Sequence, residues 1–409
     1  MINKQDVEKA YSKIHEYIVN TPVRRSHVLS GMCNCDMLLK MENLQMSGAF
    51  KERGALNRLL KLSPEEKKCG VIAASAGNHA QGVAYHAKRM GIRARIVMPE
   101  GTPLIKVMGV QSWDADVILK GETYDDAYEY SLELEKEEGA IFIHPFADIH
   151  VIAGQGTIGM EVLQDNLCKD IDAIVVPVGG GGLIAGIGAY VKKVNPKIKI
   201  IGVEVEGLDC MRASLAKGEI QDVVGKGTIA DGIAVKRVSP LTLEMAQRYV
   251  DEIVTVNDDE ICNAILLLLE IEKIVVEGAG AVAIAALLNK KIPALEGKKV
   301  VSIISGGNID VNILSRIIDR GLDFGGRIAQ MSTMLKDKPG ALEEVIAVFH
   351  KENANILEVY QHRYCGGAPV GDVKVSFTIE TKNRLHIKDI QRQLEKHGYE
   401  VTHTQHKND

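Results

Sequence analysis

The chain has 409 residues, of which 46% are hydrophobic and 25% are charged, and its 49 basic and 54 acidic residues give a net charge of -5. These values are typical of folded globular domains and exclude a disordered, collagen-like or small disulfide-rich chain. They give no electrostatic reason to expect nucleic acid as a partner, and no apolar stretch approaches the roughly 20 residues that span a membrane. Residues 1–18 mix charged with apolar side chains and lack the apolar core of a secretory signal, so we expect an amphipathic helix and a cytoplasmic protein.

From about Thr21 to Gly321, short apolar runs alternate with segments of helical periodicity, which is typical of parallel sheets built from βαβ units. The predicted strands are Gly70–Ala74, Arg93–Met98, Ala115–Leu119, Ile171–Val176, Ile198–Val203 and Lys299–Ile304. The clearest predicted helices are Gln81–Met90, Tyr124–Glu138 and Asp259–Leu269. The fold class is therefore α/β, with a first domain over residues 1–321.

A second, smaller domain is predicted over residues 326–409, after the Gly325-Gly326 pair. Its pattern is β-α-β-β-α-β, which is typical of a ferredoxin-like sandwich. The predicted strands are Ile328–Leu335, Ile356–Arg363, Asp372–Glu380 and about Glu400–His403, and the helices are Ala341–Lys351 and Ile387–His397.

Four consecutive glycines, Gly179, Gly180, Gly181 and Gly182, follow a predicted strand and precede a helix that begins at Leu183. Exposed backbone N–H groups at such a turn form a cradle for an anion such as phosphate. Two other interpretations stay open at this point. Gly180, Gly182 and Ala185 also satisfy G-x-G-x-x-A, with Glu204 about twenty residues on, as in a dinucleotide site, and the glycines could simply form a tight turn.

Three further motifs place chemically useful side chains next to glycine. Ser47–Ala55 (SGAFKERGA) contains Lys51, and a buried lysine with a lowered pKa can form a Schiff base. Ser75–Gly82 (SAGNHAQG) follows a strand and opens a helix whose free N–H groups could hold a carboxylate. Ser305–Asn308 (SGGN) follows another strand. Since the carboxyl ends of parallel strands meet at one edge of a sheet, a single shared site explains these motifs best.

Together with the glycine turn and Thr228–Val235 (TIADGIAV), these motifs resemble those of the fold type II pyridoxal-phosphate enzymes, whose fold is that of the tryptophan synthase β chain. Within that family the chain is similar to the threonine dehydratase (threonine ammonia-lyase) and serine racemase group. The resemblance covers nearly all of the first 320 residues. It implies two parallel-sheet subdomains, with a small one at about residues 45–150 inserted in the large one.

The resemblance also implies roles for individual residues. Lys51 would bind pyridoxal phosphate as a Schiff base and then act as the catalytic base at the substrate Cα. The other predicted cofactor-binding residues are Phe50, Asn78, Gly179, Gly180, Gly181, Gly182, Leu183, Gly232 and Ser305. The predicted substrate-binding residues are Ser75, Gly77, Asn78 and His79.

Two residues help to choose among the reactions of that group. Ser305 would face the pyridine nitrogen, and a hydroxyl favours a protonated ring nitrogen less than a carboxylate does, which suits β-elimination better than transamination. The racemases place a second acid/base serine directly before Gly-Asn-His, where this chain has Ala76. We therefore expect a threonine ammonia-lyase that also deaminates L-serine more slowly, with a serine dehydratase or serine racemase as the alternative.

Two acidic residues have weaker assignments. By resemblance, Glu204 would help to hold a monovalent or divalent cation near the cofactor. Glu277 would line the site, or would serve only as a structural acid at a helix start.

The second domain resembles an ACT regulatory domain, with candidate effector contacts at Gly340, Asn355 and Ile356. Such domains commonly pair across subunits and bind amino acids, so we expect a homodimer or homotetramer and an effector such as isoleucine. Two alternatives from other classes are a dinucleotide-dependent oxidoreductase and a binding protein that has lost catalysis. Lys51 and Ser305 argue against both.

Overall fold

A computed structural model describes residues 1–363 and 369–403. Its helices are α1 (Lys4–Ile14), α2 (His27–Cys33), α3 (Lys51–Leu59), α4 (Pro64–Cys69), α5 (Asn78–Met90), α6 (Leu104–Gln111), α7 (Tyr124–Glu138), α8 (Ile149–Gln164), α9 (Gly182–Val194), α10 (Cys210–Lys217), α11 (Pro240–Tyr249), α12 (Asp258–Leu267), α13 (Gly278–Leu288), α14 (Val311–Phe324), α15 (Ala341–Lys351) and α16 (Arg384–Lys396). Its strands are β1 (Val23–Arg25), β2 (Asp36–Met41), β3 (Val71–Ala74), β4 (Ala94–Met98), β5 (Asp116–Leu119), β6 (Ile141–Phe142), β7 (Ala173–Pro177), β8 (Lys199–Val205), β9 (Glu252–Val256), β10 (Lys299–Ile304), β11 (Ile328–Lys336), β12 (Asn355–His362), β13 (Asp372–Glu380) and β14 (Val401–His403).

The chain falls into two compact units, Met1–Val311 and Asn312–Asp409. Nearly all of α14 therefore belongs to the second unit. The sequence predicts the end of the first domain at Gly321, which lies inside this helix. In the described residues, no helix is long and apolar enough to cross a membrane.

The larger sheet of the first unit has the order β1-β2-β10-β7-β8-β9, in which β1 alone runs antiparallel. The strand β7 and nearly all of β10 are buried, because helices cover both faces of such a sheet, and this explains their continuous apolar sequence. Gly179 and Ser305 lie just beyond the carboxyl ends of β7 and β10, which are hydrogen-bonded neighbours.

The smaller sheet is parallel throughout and has the order β5-β4-β3-β6. We call residues 71–142, which hold its strands and the helices α5, α6 and α7, the small subdomain. Ser75 lies at the carboxyl end of β3 and leads into α5. The predicted α/β class with two parallel sheets is confirmed.

Helix α3 joins these two layers. Gly154 of α8 lies so close to it that a Cβ there would be 2.6 Å from the Arg53 carbonyl oxygen, and a Cβ on Gly82 of α5 would be 3.0 Å from Glu52 Cα. Glycine therefore allows α3 to pack tightly against a helix on each side. This packing fixes the position of Lys51, the first residue of α3.

The second unit has an antiparallel sheet of order β12-β13-β11-β14. Residues alternate between buried and accessible along β11 and β13, as expected for a sheet with one face covered by helices. Phe349 of α15 and Phe377 of β13 meet edge to face, with ring centroids 5.0 Å apart. The predicted β-α-β-β-α-β order is confirmed.

The predicted strands and helices lie within about three residues of the observed ones. The strands β1, β2, β6 and β9 were not predicted. The cause is visible in β2, where the charged Lys40 interrupts the apolar run although its side chain is buried in an ion pair.

Candidate functional site

Lys51 is held between two segments of the first unit. Its Nζ donates a hydrogen bond to the Pro145 carbonyl oxygen at 3.0 Å and lies 5.3 Å from the centre of the Phe50 ring. The Phe50 N–H donates to the Ser305 carbonyl oxygen at 3.0 Å, which joins α3 to the end of β10. Burial lowers the pKa of Lys51 to about 8, and the Glu277 carboxylate offsets part of this shift. A lysine with this pKa is about one-tenth neutral at pH 7, a far larger share of nucleophile and base than an exposed lysine has.

The glycine turn presents backbone donors. In the described residues, the N–H groups of Gly179–Leu183 have no hydrogen-bond acceptor, and α9 begins without a side-chain cap. Gly181 has a φ of +87°, and a Cβ on Gly180 would be 2.3 Å from the Phe146 ring. The turn therefore needs glycine, and it forms an anion cradle at a helix N-terminus.

One short segment, His144–Ala147, touches both Lys51 and the glycine turn. Pro145 accepts from Lys51, while Phe146 packs on Gly180 and Gly182. The Nδ1 atom of His144 accepts from the N–H groups of Phe146 and Ala147 at 3.1 and 2.8 Å, and burial lowers its pKa to about 4. His144 thus holds the segment in shape as a neutral ring. This segment was not predicted from the sequence, although the His144-Pro145 pair directly after an apolar run could have indicated it.

Asn78 lies at the centre of a hydrogen-bonded chain of side chains. Its Nδ2 donates to Glu277 Oε1 at 2.6 Å, and its Oδ1 accepts from Asn308 Nδ2 at 2.8 Å. Asn308 also donates to the Ser47 carbonyl oxygen at 2.7 Å. Burial raises the pKa of Glu277 to about 8, so the carboxyl is largely protonated at neutral pH. Gly232 lies against this chain, because a Cβ there would be 3.8 Å from Glu277 Oε1 and 4.0 Å from Asn78 Nδ2.

The other three predicted substrate residues lie in the loop before α5, which holds Ser75 and Gly77, and in the first turn of α5, which holds His79. The Ser75 hydroxyl accepts from the Gly77 N–H at 3.2 Å, and the Nε2 of His79 lies 2.7 Å from the Ile143 carbonyl oxygen. Burial lowers the pKa of His79 to about 3, so the ring is neutral and its proton is on Nε2. The N–H groups of this helix start, rather than a charged histidine, are what the loop offers to a carboxylate.

Glu204 caps α10. Its two carboxylate oxygens accept from the N–H groups of Met211 and Arg212 at 2.9 and 2.8 Å, and burial raises its pKa to about 8. No group of three or more His, Cys, Asp or Glu side chains in the described part of the chain could hold a metal ion. The role of Glu204 in holding a cation stays a prediction.

The predicted effector residues lie in the second unit. Gly340 has a φ of +87° and precedes α15, and Asn355 and Ile356 begin β12. Their binding of an amino acid also stays a prediction.

Comparison with known proteins decides the family. The family described as pyridoxal-phosphate-dependent enzymes matches residues 14–306. The chain belongs to this family. It is 48% identical over 401 residues to the L-threonine ammonia-lyase of Thermotoga maritima, which covers 98% of this chain and 99% of that protein.

Solved structures agree with the family assignment. The processed form of threonine deaminase isoform 2 from Solanum lycopersicum superposes with a TM-score of 0.74 at 39% identity, covering 77% of this chain and 87% of that one. Serine racemase from Dictyostelium discoideum gives 0.71 at 35% identity, covering 76% and 99%. The predicted pyridoxal phosphate is confirmed, and the dinucleotide-dependent oxidoreductase is not supported.

The described residues fit this cofactor. A lysine amine with a lowered pKa suits its aldehyde, and the unpartnered N–H groups of the glycine turn suit its phosphate. The Pro145-Phe146 pair connects the lysine to the glycine turn, since Pro145 contacts Lys51 and Phe146 packs on Gly180. The part that each residue plays toward the cofactor is a proposal.

Proposed function

We propose that this chain is a threonine ammonia-lyase, which converts L-threonine to 2-oxobutanoate and ammonia and deaminates L-serine to pyruvate more slowly. The observation that carries the proposal is Lys51, a buried amine with a pKa of about 8, which shares the Pro145–Phe146 contact with the glycine turn. The threonine ammonia-lyase and threonine deaminase relatives support the substrate.

Pyridoxal phosphate supplies an electron sink conjugated to the substrate Cα. Lys51 Nζ removes the Cα proton as a neutral amine, and the N–H groups of the Ser75–His79 loop hold the substrate carboxylate. Loss of the β-hydroxyl as water releases an enamine, which becomes an imine and hydrolyses to the 2-oxo acid and ammonia. A Ser305 hydroxyl that faces the pyridine nitrogen would favour this elimination over transamination.

The serine racemase alternative depends on position 76. A racemase needs an acid/base on the face opposite the lysine, and the Ala76 methyl group cannot exchange a proton. A serine-preferring dehydratase is the other alternative, because one methyl group on the substrate changes the free energy of transition-state binding by only about 1–3 kcal/mol.

The test starts from the holoenzyme. We would record its visible spectrum before and after adding L-threonine or L-serine, assay 2-oxo acid release, and analyse the amino acids for D-enantiomers. Lys51→Ala should abolish the lysine-bound cofactor band and the activity, whereas Lys88→Ala, at an exposed lysine paired with Asp114, should change neither. Substrate-induced spectral changes without 2-oxo acid would indicate a binding protein that has lost catalysis. A D-enantiomer as the main product would indicate a racemase.

We further propose that the second unit is an ACT-like regulatory domain that binds an amino acid such as isoleucine and pairs with a second copy of the chain. Edge strand β12 supports pairing, because Leu357, Val359 and Tyr360 are exposed along it. Sedimentation analysis should give a dimer or tetramer. Activity titrated with isoleucine and valine would test the effector, and fractionation of the source cells would test the expected cytoplasmic location.

A further inference from the structure

An ion pair joins the small subdomain to the loop that contains Gly232. Lys106 lies on α6 of the small subdomain, and Asp231 begins a single 3₁₀ turn, Asp231–Ile233. Lys106 Nζ lies 2.5 Å from Asp231 Oδ2 although the two residues are 125 positions apart in the chain. Their side chains are 29% and 59% exposed, so the pair lies at the rim of the site rather than inside it.

The ion pair and the Asn78–Glu277 hydrogen bond lie on two sides of Gly232. Asp231 precedes Gly232 directly, and Gly232 faces both Glu277 Oε1 and Asn78 Nδ2. Lys106 and Asn78 belong to the small subdomain, whereas Asp231 and Glu277 do not. Two polar contacts thus connect the small subdomain to groups next to Gly232: Lys106 contacts Asp231, and Asn78 contacts Glu277.

The charges of this pair also reach Glu277. Asp231 raises the pKa of Glu277, and Lys106 lowers it, together with Asn78 and Lys51. The groups that act on Glu277 therefore come from α3, α5, α6 and the Asp231 loop. Replacing Lys106 by a neutral residue should therefore raise the pKa of Glu277, and replacing Asp231 by a neutral residue should lower it.

We propose that Lys106 is a positioning residue for the proposed reaction: through Asp231 it holds Gly232 and Glu277 against the Asn78 loop. Neither Lys106 nor Asp231 was predicted from the sequence to have a role. The inference rests on the proposed function for its kinetic readout and on the geometry alone for its other readouts.

The experiment compares the full-length holoenzyme with Lys106→Gln, Asp231→Asn and the charge swap Lys106→Asp with Asp231→Lys. The matched control is Lys88→Gln, which breaks the 2.8 Å Lys88–Asp114 ion pair within the small subdomain. Both single variants should lower kcat/KM for L-threonine about three- to fivefold, the range open to a part-exposed ion pair, and should release pyridoxal phosphate faster. The charge swap should recover much of the loss, and the control should behave as wild type.

The pH profile separates positioning from general loosening of the fold. Glu277 loses its proton near pH 8, so an alkaline limb of the kcat/KM profile that follows this loss should move to higher pH in Lys106→Gln and to lower pH in Asp231→Asn. The proposal would be overturned if the alkaline limb moved in the same direction in both single variants, or if the charge swap recovered no activity. An equal loss of kcat/KM in Lys88→Gln would also overturn it. If the wild type releases no 2-oxobutanoate, the proposed function fails. The rates of cofactor release would then still test the ion pair.

Discussion

Asn78 and Glu277 are 199 positions apart, and Asn78 Nδ2 donates to Glu277 Oε1 at 2.6 Å. Asn78 begins the helix after β3 of the smaller sheet, while Glu277 precedes α13, which packs on the larger sheet. This bond crosses between the two layers beside Gly232. It also places a carboxyl group where it influences the pKa of Lys51.

We expect Glu277→Gln to lower the pH at which the apo protein combines with pyridoxal phosphate. Only the neutral Lys51 amine attacks the aldehyde, so the wild-type rate should rise with pH and level off above about 8. Glu277 has a pKa of about 8 itself and raises the pKa of Lys51 as it ionises, so replacing this carboxyl should move the midpoint to lower pH. Growth of the visible absorption band at a series of pH values measures this. Exposed Glu206→Gln is the control, and an unchanged midpoint in Glu277→Gln would rule the coupling out.

Gly180→Ala should weaken pyridoxal-phosphate binding about tenfold or more, equivalent to about 1.4 kcal/mol. The new methyl group would be 2.3 to 2.5 Å from carbons of the Phe146 ring, so the turn or the ring must shift. Titration of the apo protein with the cofactor gives the affinity. Adding Phe146→Leu should recover part of it by making room. Gly101→Ala, where nothing lies within 4 Å of the added carbon, should bind as wild type does.

Arg53→Met should destabilise the protein by about 3–5 kcal/mol. The fully buried Arg53 guanidinium donates to Glu42 at 2.7 and 2.8 Å and to Glu161 at 2.6 and 2.7 Å. Without it, Lys40 is the only cation among the described residues that contacts these two buried carboxylates. Urea unfolding measures the loss. The comparison is Arg25→Met in the exposed Arg25–Asp36 pair, which should cost less than about 1 kcal/mol. Similar losses in both variants would refute this account.

His86→Leu should make the protein less sensitive to acid. Within the described residues neither ring nitrogen of this buried histidine has a partner, and burial lowers its pKa to about 3. The unfolded state takes up a proton below about pH 6.5 while the folded state does not, so wild-type stability falls as pH falls. Between pH 7 and 4 the variant should lose about 3 kcal/mol less than wild type. Urea midpoints test this, with exposed His27→Leu as control; parallel losses would contradict the prediction.

Much of the site could be predicted from sequence because its parts are local. Lys51, the glycine turn and the Ser75–Asn78 loop each combine a functional residue with glycine at a strand or helix end. Their order along the chain is typical of the family. The apolar periodicity likewise predicted the parallel strands of both layers. It missed β2, because a buried ion pair allows Lys40 to lie in an otherwise apolar strand.

The sequence by itself thus determined the α/β class and the positions of Lys51 and the glycine turn, since period, glycine and motif order are properties of short segments. Tertiary structure alone decided which distant groups meet: Asn78 with Glu277, Lys106 with Asp231, and the His144–Ala147 segment with both Lys51 and Gly180. It also showed Glu204 to be a cap on α10. These contacts depend on how separate elements pack, and burial then sets the pKa values of Lys51 and Glu277, which no local pattern encodes.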